Sequence, residues 1–328
     1  MKAIIVKQPG GADKLELGEI PTPVPKENEI LVKVHAAALN RADIMQREGK
    51  YPPPAGASEI LGLEIAGEVN SVGSSANRWK KGDKIFGLLP GGGDAELAVI
   101  DEMMANPIPS NLSYEESAAI PEVFLTAYQA LFRHSKLQKD ESILIHAGAS
   151  GVGTAAIQMA KLIGSKIYIT ASAEKHDKCF ELGADFAIDY KKEKFEEKIN
   201  ELTNGKGVNV IIDFISGPYF MQNLKSLSVD GRMVMLATLG GTKIENADIR
   251  QILLKRLTII GSTLRSRTRQ YQIKLNGEFI NYAFEKFERV KLKPIVDKIF
   301  DWKDIRKAHQ YMEENKNTGK IVLKISDN

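Results

Sequence analysis

The sequence predicts an α/β protein in two parts: a mainly β, loop-rich domain over 1–120, completed by 264–328, and a doubly wound parallel-sheet domain over 121–263. Three observations carry the prediction. Short apolar runs punctuated by Gly and Pro fill the first third. From residue 142 onward, runs of β-branched residues alternate with amphipathic helical segments. A glycine turn joins the first such run to the first such helix.

In the first part, apolar runs at 4–6, 30–34, 65–69, 85–89 and 96–100 read as strands separated by Gly10-Gly11, the prolines of 21–25 and 52–54, Gly82-Asp83 and the glycines of 91–93. Ser113 followed by Glu116 has capping-box spacing, and Pro121 should break or restart that helix, so a second helix is expected over 122–134. Strands are then expected at 142–147, 166–171, 186–189, 208–213, 232–236 and 257–261. Helices at 152–163 and 175–182 lie between them, stopped by Gly164 and Gly183. The tail predicts an aromatic-rich helix near 279–287, a strand near 294–300, a helix over 305–314 and a last strand at 320–325. Six strands already complete a doubly wound sheet, so this tail is expected to pack back on the first part.

Composition narrows the classes of function. The 328 residues are 43% hydrophobic and 27% charged, enough apolar material for sizeable cores. The net charge of +3 is spread along the chain, so no nucleic-acid partner is expected. Lys191, Lys192, Lys194 and Lys198 cluster, but Glu193, Glu196 and Glu197 interleave with them as on a solvated helix face. A lone cysteine, Cys179, excludes an intramolecular disulfide and a cysteine-rich metal knuckle and fits a reducing, cytoplasmic setting. The apolar run near Met1 is too short for a signal peptide and no stretch reaches membrane-spanning length, so no membrane partner is expected.

The most informative stretch is Ile143-Leu144-Ile145-His146-Ala147-Gly148-Ala149-Ser150-Gly151-Val152-Gly153-Thr154. An apolar strand running into a glycine turn that opens a helix brings backbone N–H groups and the helix dipole to a pyrophosphate. Ala147 stands at the first position of the fingerprint, and Ala149, Ser150, Gly151 and Val152 are the expected phosphate contacts. Dinucleotide enzymes that prefer NAD place an acid at the end of the second strand. Here that end reads Thr170-Ala171-Ser172-Ala173, with Glu174 later beside Lys175, and Tyr190 closes the third strand. Ser172, Lys175 and Tyr190 suit a 2′-phosphate, so NADPH is the expected cofactor.

Asn40-Arg41-Ala42-Asp43, the run Gly62-Leu63-Glu64-Ile65-Ala66-Gly67-Glu68-Val69, Gly82-Asp83 and the glycine turn together resemble the medium-chain dehydrogenase/reductases over nearly the whole chain. Within that superfamily, stretches 40–46, 88–93, 121–127, 264–267 and 315–322 are similar to the zinc-free quinone oxidoreductases, above all to the tumour-suppressor-inducible subgroup. The resemblance implies a GroES-like catalytic domain and a Rossmann nucleotide-binding domain. Zinc alcohol dehydrogenases of the superfamily carry a cysteine where this chain has Asn40 and a histidine where it has Leu63. Neither replacement is a strong zinc ligand, the lobe bearing four structural-zinc cysteines is absent, and no metal is expected. Without a Lewis acid the acceptor must itself be electron-poor, as quinones and activated enones are.

The resemblance further implies that the nicotinamide lies in the cleft between domains and that Asn40 and Tyr51 line the acceptor pocket. Tyr51, on a proline-held turn, would donate a hydrogen bond or a proton, although solvent serves equally as proton source. Bland readings stand beside these: Tyr51 as a surface packing residue, Asn40 as the cap of the helix after it. Thr126 would lie near the nicotinamide ribose, and the loop 237–241, with Leu239 and Gly240, would border the nicotinamide. Arg265 and Arg267 would reach the cofactor phosphates or the acceptor, unless they form surface salt bridges, and Asn317 would contact NADPH. Asp43 and Glu64 receive no catalytic role. Strand 257–261 offers a β-edge that family members cover with a second subunit, which implies a homodimer. Quinone reduction is the leading expectation. A 2-alkenal or enone reductase and a non-catalytic NADPH-binding structural protein are the alternatives.

Overall fold

The computed structural model describes residues 1–244 and 247–326. The chain divides into two compact units, one formed by Met1–Leu125 with Arg265–Asn328 and the other by Thr126–Leu264.

The first unit opens with β1 (Lys2–Val6) and β2 (Leu15–Glu19), an antiparallel ribbon. Its main sheet gathers β3 (Glu29–Ala38), β4 (Glu64–Val72), β5 (Lys84–Leu88), β6 (Leu97–Asp101) and β7 (Ala105–Pro107), with α1 (Arg41–Arg47) between β3 and β4. The long, largely buried β3 is the hub and pairs antiparallel with both β4 and β6. α2 (Tyr114–Ala118) begins at the expected capping box: the Glu116 N–H donates to Ser113 Oγ at 3.1 Å and the Ser113 N–H to Glu116 Oε2 at 2.9 Å. Pro121 starts α3 (Pro121–Tyr128), where its fixed φ and missing N–H suit the first helical position. The helix expected over 122–134 is there, but its second half, Gln129–His134, widens to a π-helical turn.

The second unit holds β8 (Ser142–Ile145), α4 (Gly151–Ile163), β9 (Lys166–Ala171), α5 (His176–Leu182), β10 (Phe186–Asp189), α6 (Phe195–Leu202), β11 (Val208–Asp213), α7 (Phe220–Ser226), β12 (Leu227–Met235), α8 (Arg250–Leu254) and β13 (Thr258–Gly261). The sheet runs β10-β9-β8-β11-β12-β13, every pair parallel, which is the doubly wound order of dinucleotide-binding sheets. Gly164 and Gly183 end α4 and α5 at φ of 90° and 112°, conformations that a side chain would strain. β8 stops short of the expected 142–147 because Ala147 already has φ of 47° and belongs to the turn. β12 starts five residues before the expected 232. Beneath the helices, Leu144, Tyr168, Phe195, Ile211 and Leu224 share one buried cluster, each such side chain contributing about 1.5–3 kcal/mol.

The tail belongs to the first unit, with α9 (Arg269–Glu288), β14 (Val296–Asp301), α10 (Ile305–Glu313) and β15 (Lys320–Lys324). The aromatic-rich helix begins ten residues before the expected 279. β15 pairs antiparallel with β3, with Val322 opposite Ala38 and Leu323 opposite Ala37. Extending that register two residues puts Lys320 opposite Asn40. Among the described residues no helix is long and apolar enough to cross a membrane.

Candidate active site and cofactor-binding elements

The polar centre of the first unit grows from the end of β3. Asn40 is the N-cap of α1 in extended conformation, and its backbone N–H donates to Asp43 Oδ2 at 2.7 Å. Its amide turns inward: Nδ2 donates to Glu64 Oε1 at 2.9 Å and to the Ala38 carbonyl at 3.3 Å, while Oδ1 accepts from Lys320 Nζ at 2.8 Å. Helix capping and membership of a buried polar centre therefore coincide at this residue. Lys320 also donates to the Leu39 carbonyl and pairs with Glu64 Oε1 at 2.7 Å, with side chains 4% and 0% exposed. The other Glu64 oxygen accepts the Glu122 N–H at 2.8 Å.

Two more acids complete the cluster. Asp43 Oδ1 accepts the Gly62 N–H at 3.2 Å, and burial pushes the Asp43 carboxyl up to about 6 against the hydrogen bonds from Asn40 and Gly62 and the charge of Lys320. Asp94 is fully buried and neither of its carboxyl oxygens has a partner. Burial first, and then the neighbouring Asp43, hold it well above the ordinary carboxylate range. Gly62, at φ of 92°, must be glycine, because a Cβ there would lie 2.4 Å from the Asp94 nitrogen. Glu122 is pushed up to about 7 by burial and then by Glu64 and Asp43, opposed by Lys320 and Arg265.

Tyr51 is half-buried beside this cluster. The Arg265 guanidinium lies over its ring, 5.4 Å from the centroid. Arg265 itself is fixed by the Pro90 carbonyl, 2.9 Å from Nε and 2.6 Å from Nη2, and by Gln46 Oε1 at 2.8 Å, while Nη1 is buried without a partner. Burial raises the Tyr51 phenol, Glu122 raises it further, and Arg265 pulls the other way. Arg267 lies over the Tyr271 ring at 4.9 Å, and Asn317 donates to the Gly319 carbonyl at 2.7 Å in the turn that leads to Lys320. The first unit thus brings Asn40, Tyr51 and Arg265 to one acidic cluster, with Arg267 and Asn317 on the segments that flank its arginine and its lysine.

In the second unit the glycine turn has the shape that a pyrophosphate requires. Ser150 caps α4, its Oγ accepting the Gly153 N–H at 3.1 Å. That leaves the amides of Gly151 and Val152, the first two of the helix, without intrahelical acceptors. A Cβ on Gly153 would lie 2.4 Å from the Ala147 carbonyl oxygen, so only glycine lets the helix start this close to β8. Ala149 is buried in the same turn. Behind it, His146 bridges Thr170 Oγ1 at 3.0 Å and Asn223 Oδ1 at 2.8 Å, and Asn223 donates to Asp213 Oδ2 at 3.1 Å. Burial lowers the His146 imidazole, which suits a neutral ring that braces the turn.

At the end of β9, Ser172 is 6% exposed and the Lys175 N–H donates to its carbonyl at 2.9 Å. Tyr190 is 46% exposed at the end of β10. Glu174, which the sequence set apart from this position, folds back: its carboxylate accepts from the Ser172 hydroxyl and lies 3.5 Å from Lys191 Nζ. Those contacts, the Ser172 hydroxyl foremost, hold its carboxyl at about 2. The loop with Leu239 and Gly240 is pinned to the end of β11, the Leu239 N–H on the Phe214 carbonyl at 3.0 Å and the Gly240 N–H on Ile215 at 2.8 Å. Thr126 is half-buried on α3.

Sequence reasoning missed Lys320, Glu122, Asp94 and His146. A lysine that opens an otherwise apolar strand, as in Gly319-Lys320-Ile321-Val322, was the available signal for the first. Among the described residues no group of three His, Cys, Asp or Glu side chains has an arrangement that could hold a metal ion.

Residues 26–110 match the family described as the alcohol dehydrogenase GroES-like domain, and residues 151–277 match the zinc-binding dehydrogenase family. A GroES-like unit followed by a six-stranded parallel sheet whose first strand runs through a glycine turn into a helix defines a medium-chain dehydrogenase/reductase, an α/β oxidoreductase. Within that superfamily the chain belongs to the quinone oxidoreductases. Human quinone oxidoreductase is 31% identical over 330 residues, covering 98% of this chain and 97% of the relative. The structure of Escherichia coli quinone oxidoreductase complexed with NADPH matches with a TM-score of 0.90 at 29% identity, over 99% of this chain and 100% of that one. The CurK enoyl reductase matches with a TM-score of 0.88, also at 29% identity and over 99% of each chain.

Proposed function

We propose that the chain is an NADPH-dependent, zinc-independent quinone reductase. The observation that carries the reading is the place of Lys320. Its ammonium lies 2.7 Å from Glu64 and 2.8 Å from Asn40, the residue that stands where the zinc relatives carry a metal-ligating cysteine. A divalent ion there would have to displace a buried ammonium and accept an amide and the isobutyl group of Leu63 as ligands, a poor donor set. A fixed ammonium already paired with Glu64 gives little polarisation to a plain carbonyl. The favoured acceptors are therefore molecules whose reduced forms are delocalised anions, and quinones meet that condition.

Bound NADPH would supply the hydride. Ala149, Ser150, Gly151 and Val152 would hold its pyrophosphate, and Ser172, Lys175 and Tyr190 its 2′-phosphate, in keeping with the uncommitted helix-start amides and the glycine cradle. Thr126, Leu239, Gly240, Arg267 and Asn317 remain further candidate contacts. Tyr51 would donate a hydrogen bond to the acceptor oxygen as negative charge grows there. Arg265, over the ring, holds the phenol in place and favours its ionisation, while Glu122 opposes it. Asn40 is positioned by Glu64 and Lys320 on both sides of its amide.

Reduction of 2-alkenals or enones is the second reading, favoured by the likeness to an enoyl reductase. A homodimer joined along β13 fits that strand's place at the sheet edge and the exposed Ile249, Leu253 and Leu254 of the same unit, and the lone cysteine fits a cytoplasmic setting. The test is NADPH oxidation against ortho- and para-quinones, 2-alkenals and ethanol, with zinc content measured on the same preparation. Quinone turnover without zinc is expected. Turnover of alkenals alone would overturn the quinone assignment, and stoichiometric zinc with ethanol turnover would overturn zinc independence. NADPH binding without turnover of any acceptor would point to the non-catalytic role.

A further inference from the structure

We propose that His146 is a positioning residue that ties the two halves of the dinucleotide site together, through one buried hydrogen-bonded chain running from the end of β9 to the loop 237–241. The inference rests on the dinucleotide reading of the second unit and goes beyond it to how the site is held in register. In the sheet β10-β9-β8-β11-β12-β13 the strand order reverses between β8 and β11, and a dinucleotide lies across the carboxyl ends of the strands at that seam, one nucleotide on each side. The β9 side is that of the adenosine ribose, which leaves the loop after β12 on the nicotinamide side. His146 follows β8 and sits on the seam, its backbone N–H on the Ile212 carbonyl at 3.1 Å.

Each link of the chain has one direction. Asn223 spends an amide N–H on Asp213 Oδ2, so its Oδ1 must accept, and the ring proton of His146 lies on Nε2. Nδ1 of the neutral ring is then an acceptor, and the Thr170 hydroxyl donates to it. On the far side Asp213 Oδ1 accepts the Ile215 N–H at 2.8 Å and the Ser216 N–H at 3.0 Å. These two bonds hold Ser216 at φ of 56° and ψ of −137°, a backbone that residues with a side chain rarely adopt. The Ser216 hydroxyl ends the chain on the Ala237 carbonyl at 2.8 Å. The same turn carries the Phe214 and Ile215 carbonyls that hold the Leu239 and Gly240 N–H groups. Thr170, His146, Asn223, Asp213 and Ser216 are each at most 2% exposed, and the rings of Phe195 and Tyr219 close edge-on over His146 at 4.7 Å and 4.9 Å. Water has no access to stand in for a missing link, so a break leaves buried polar groups unpaired and loosens the loop on the nicotinamide side.

The test measures dissociation constants of NADPH and of 2′,5′-ADP, a probe of the adenosine half alone, by calorimetric titration on the unchanged protein, Ser216→Ala, His146→Leu and the double variant. Ser216→Ala cuts the last link, far from the adenosine side. It should weaken NADPH by roughly five- to thirtyfold, the range for one buried polar group left unpaired, and leave 2′,5′-ADP unchanged. His146→Leu should weaken NADPH at least as much, and the double variant no further, because both changes cut the same chain. At saturating NADPH the fluorescence emission of the bound reduced nicotinamide should move toward that of the free cofactor in each variant. Equal weakening of NADPH and 2′,5′-ADP by Ser216→Ala, strictly additive losses in the double variant, or an emission that neither single change moves would each overturn the inference while leaving the dinucleotide site intact. Should His146→Leu fail to fold, Ser216→Ala decides through the two affinities and the emission. Failure of the unchanged protein to bind NADPH would remove the cofactor reading, and the inference with it.

Discussion

Lys320→Met isolates the contribution of the buried ammonium, because methionine keeps an unbranched apolar stem and deletes the charge. The ammonium is 4% exposed and serves three acceptors, the Leu39 carbonyl, Asn40 Oδ1 and Glu64 Oε1. Without it Glu64, fully buried, keeps only the Asn40 amide and the Glu122 N–H. Removing one partner of a buried ion pair leaves an uncompensated charge and costs about 3–5 kcal/mol. For a unit of this size each kcal/mol moves the melting midpoint by roughly 2–4 °C, so a fall of roughly 6–20 °C is expected. The assay is thermal and urea unfolding followed by circular dichroism. Glu64→Gln in the same background removes the orphaned charge and should restore a large part of the loss, a coupling of at least about 2 kcal/mol between the two sites. A loss under about 1 kcal/mol in Lys320→Met, or strict additivity in the double variant, would refute the view that this pair is a desolvated unit.

Three further outcomes follow from the same geometry. Glu122 binds its proton more tightly folded, at about 7, than unfolded, near 4.5, so its contribution is complete below pH 4.5 and is lost as pH rises through 7. Glu122→Gln should flatten that decline by up to roughly 3 kcal/mol, as urea unfolding at pH 5 and pH 8 will reveal, with Glu64, Asp43, Lys320 and Arg265 left as the facing charges; an unchanged slope would contradict the assignment. Tyr51→Phe keeps the ring under Arg265 and should leave stability and NADPH affinity unaltered while lowering kcat on quinones by about ten- to hundredfold; an undiminished kcat would give the proton-donor role to solvent. Gly153→Ala forces a Cβ to within 2.4 Å of the Ala147 carbonyl oxygen, so it should cost about 1–3 kcal/mol and weaken NADPH binding, read by urea unfolding and by cofactor titration.

The sheet of the second unit was legible because its signals are local: short apolar runs of four to six residues, each followed by a helix, give strands at 166–171, 186–189 and 208–213 to the residue. The glycine turn was legible for the same reason. Boundaries slipped where tertiary context governs them, as at β12, which extends back to Leu227 because Val208 on the neighbouring β11 offers it a partner. The polar centre was half legible. Asn40 and Tyr51 could be named, but Lys320 lies 280 residues from Asn40 and meets it only through the pairing of β15 with β3. Asp94 and Glu122 had no periodic signature.

Charge accounting explains why those acids shift as they do. Asp43, Glu64 and Asp94, all buried, and the half-buried Glu122 would bring four negative charges to a centre that has two cations, Lys320 and Arg265. Desolvation makes such an excess prohibitive, so protons must replace the missing counter-charges. Glu64 is the acid with a cation in direct contact, and the upward shifts fall on the other three. Asp94, which has no partner at all, is the natural holder of one proton, and Glu122 and Asp43 divide the other. The centre reaches neutrality with two protons, the Lys320 ammonium and the Arg265 guanidinium. It also keeps a protonated acid, Glu122, close enough to act on the Tyr51 phenol, which is what the proposed reduction of an electron-poor acceptor would call on.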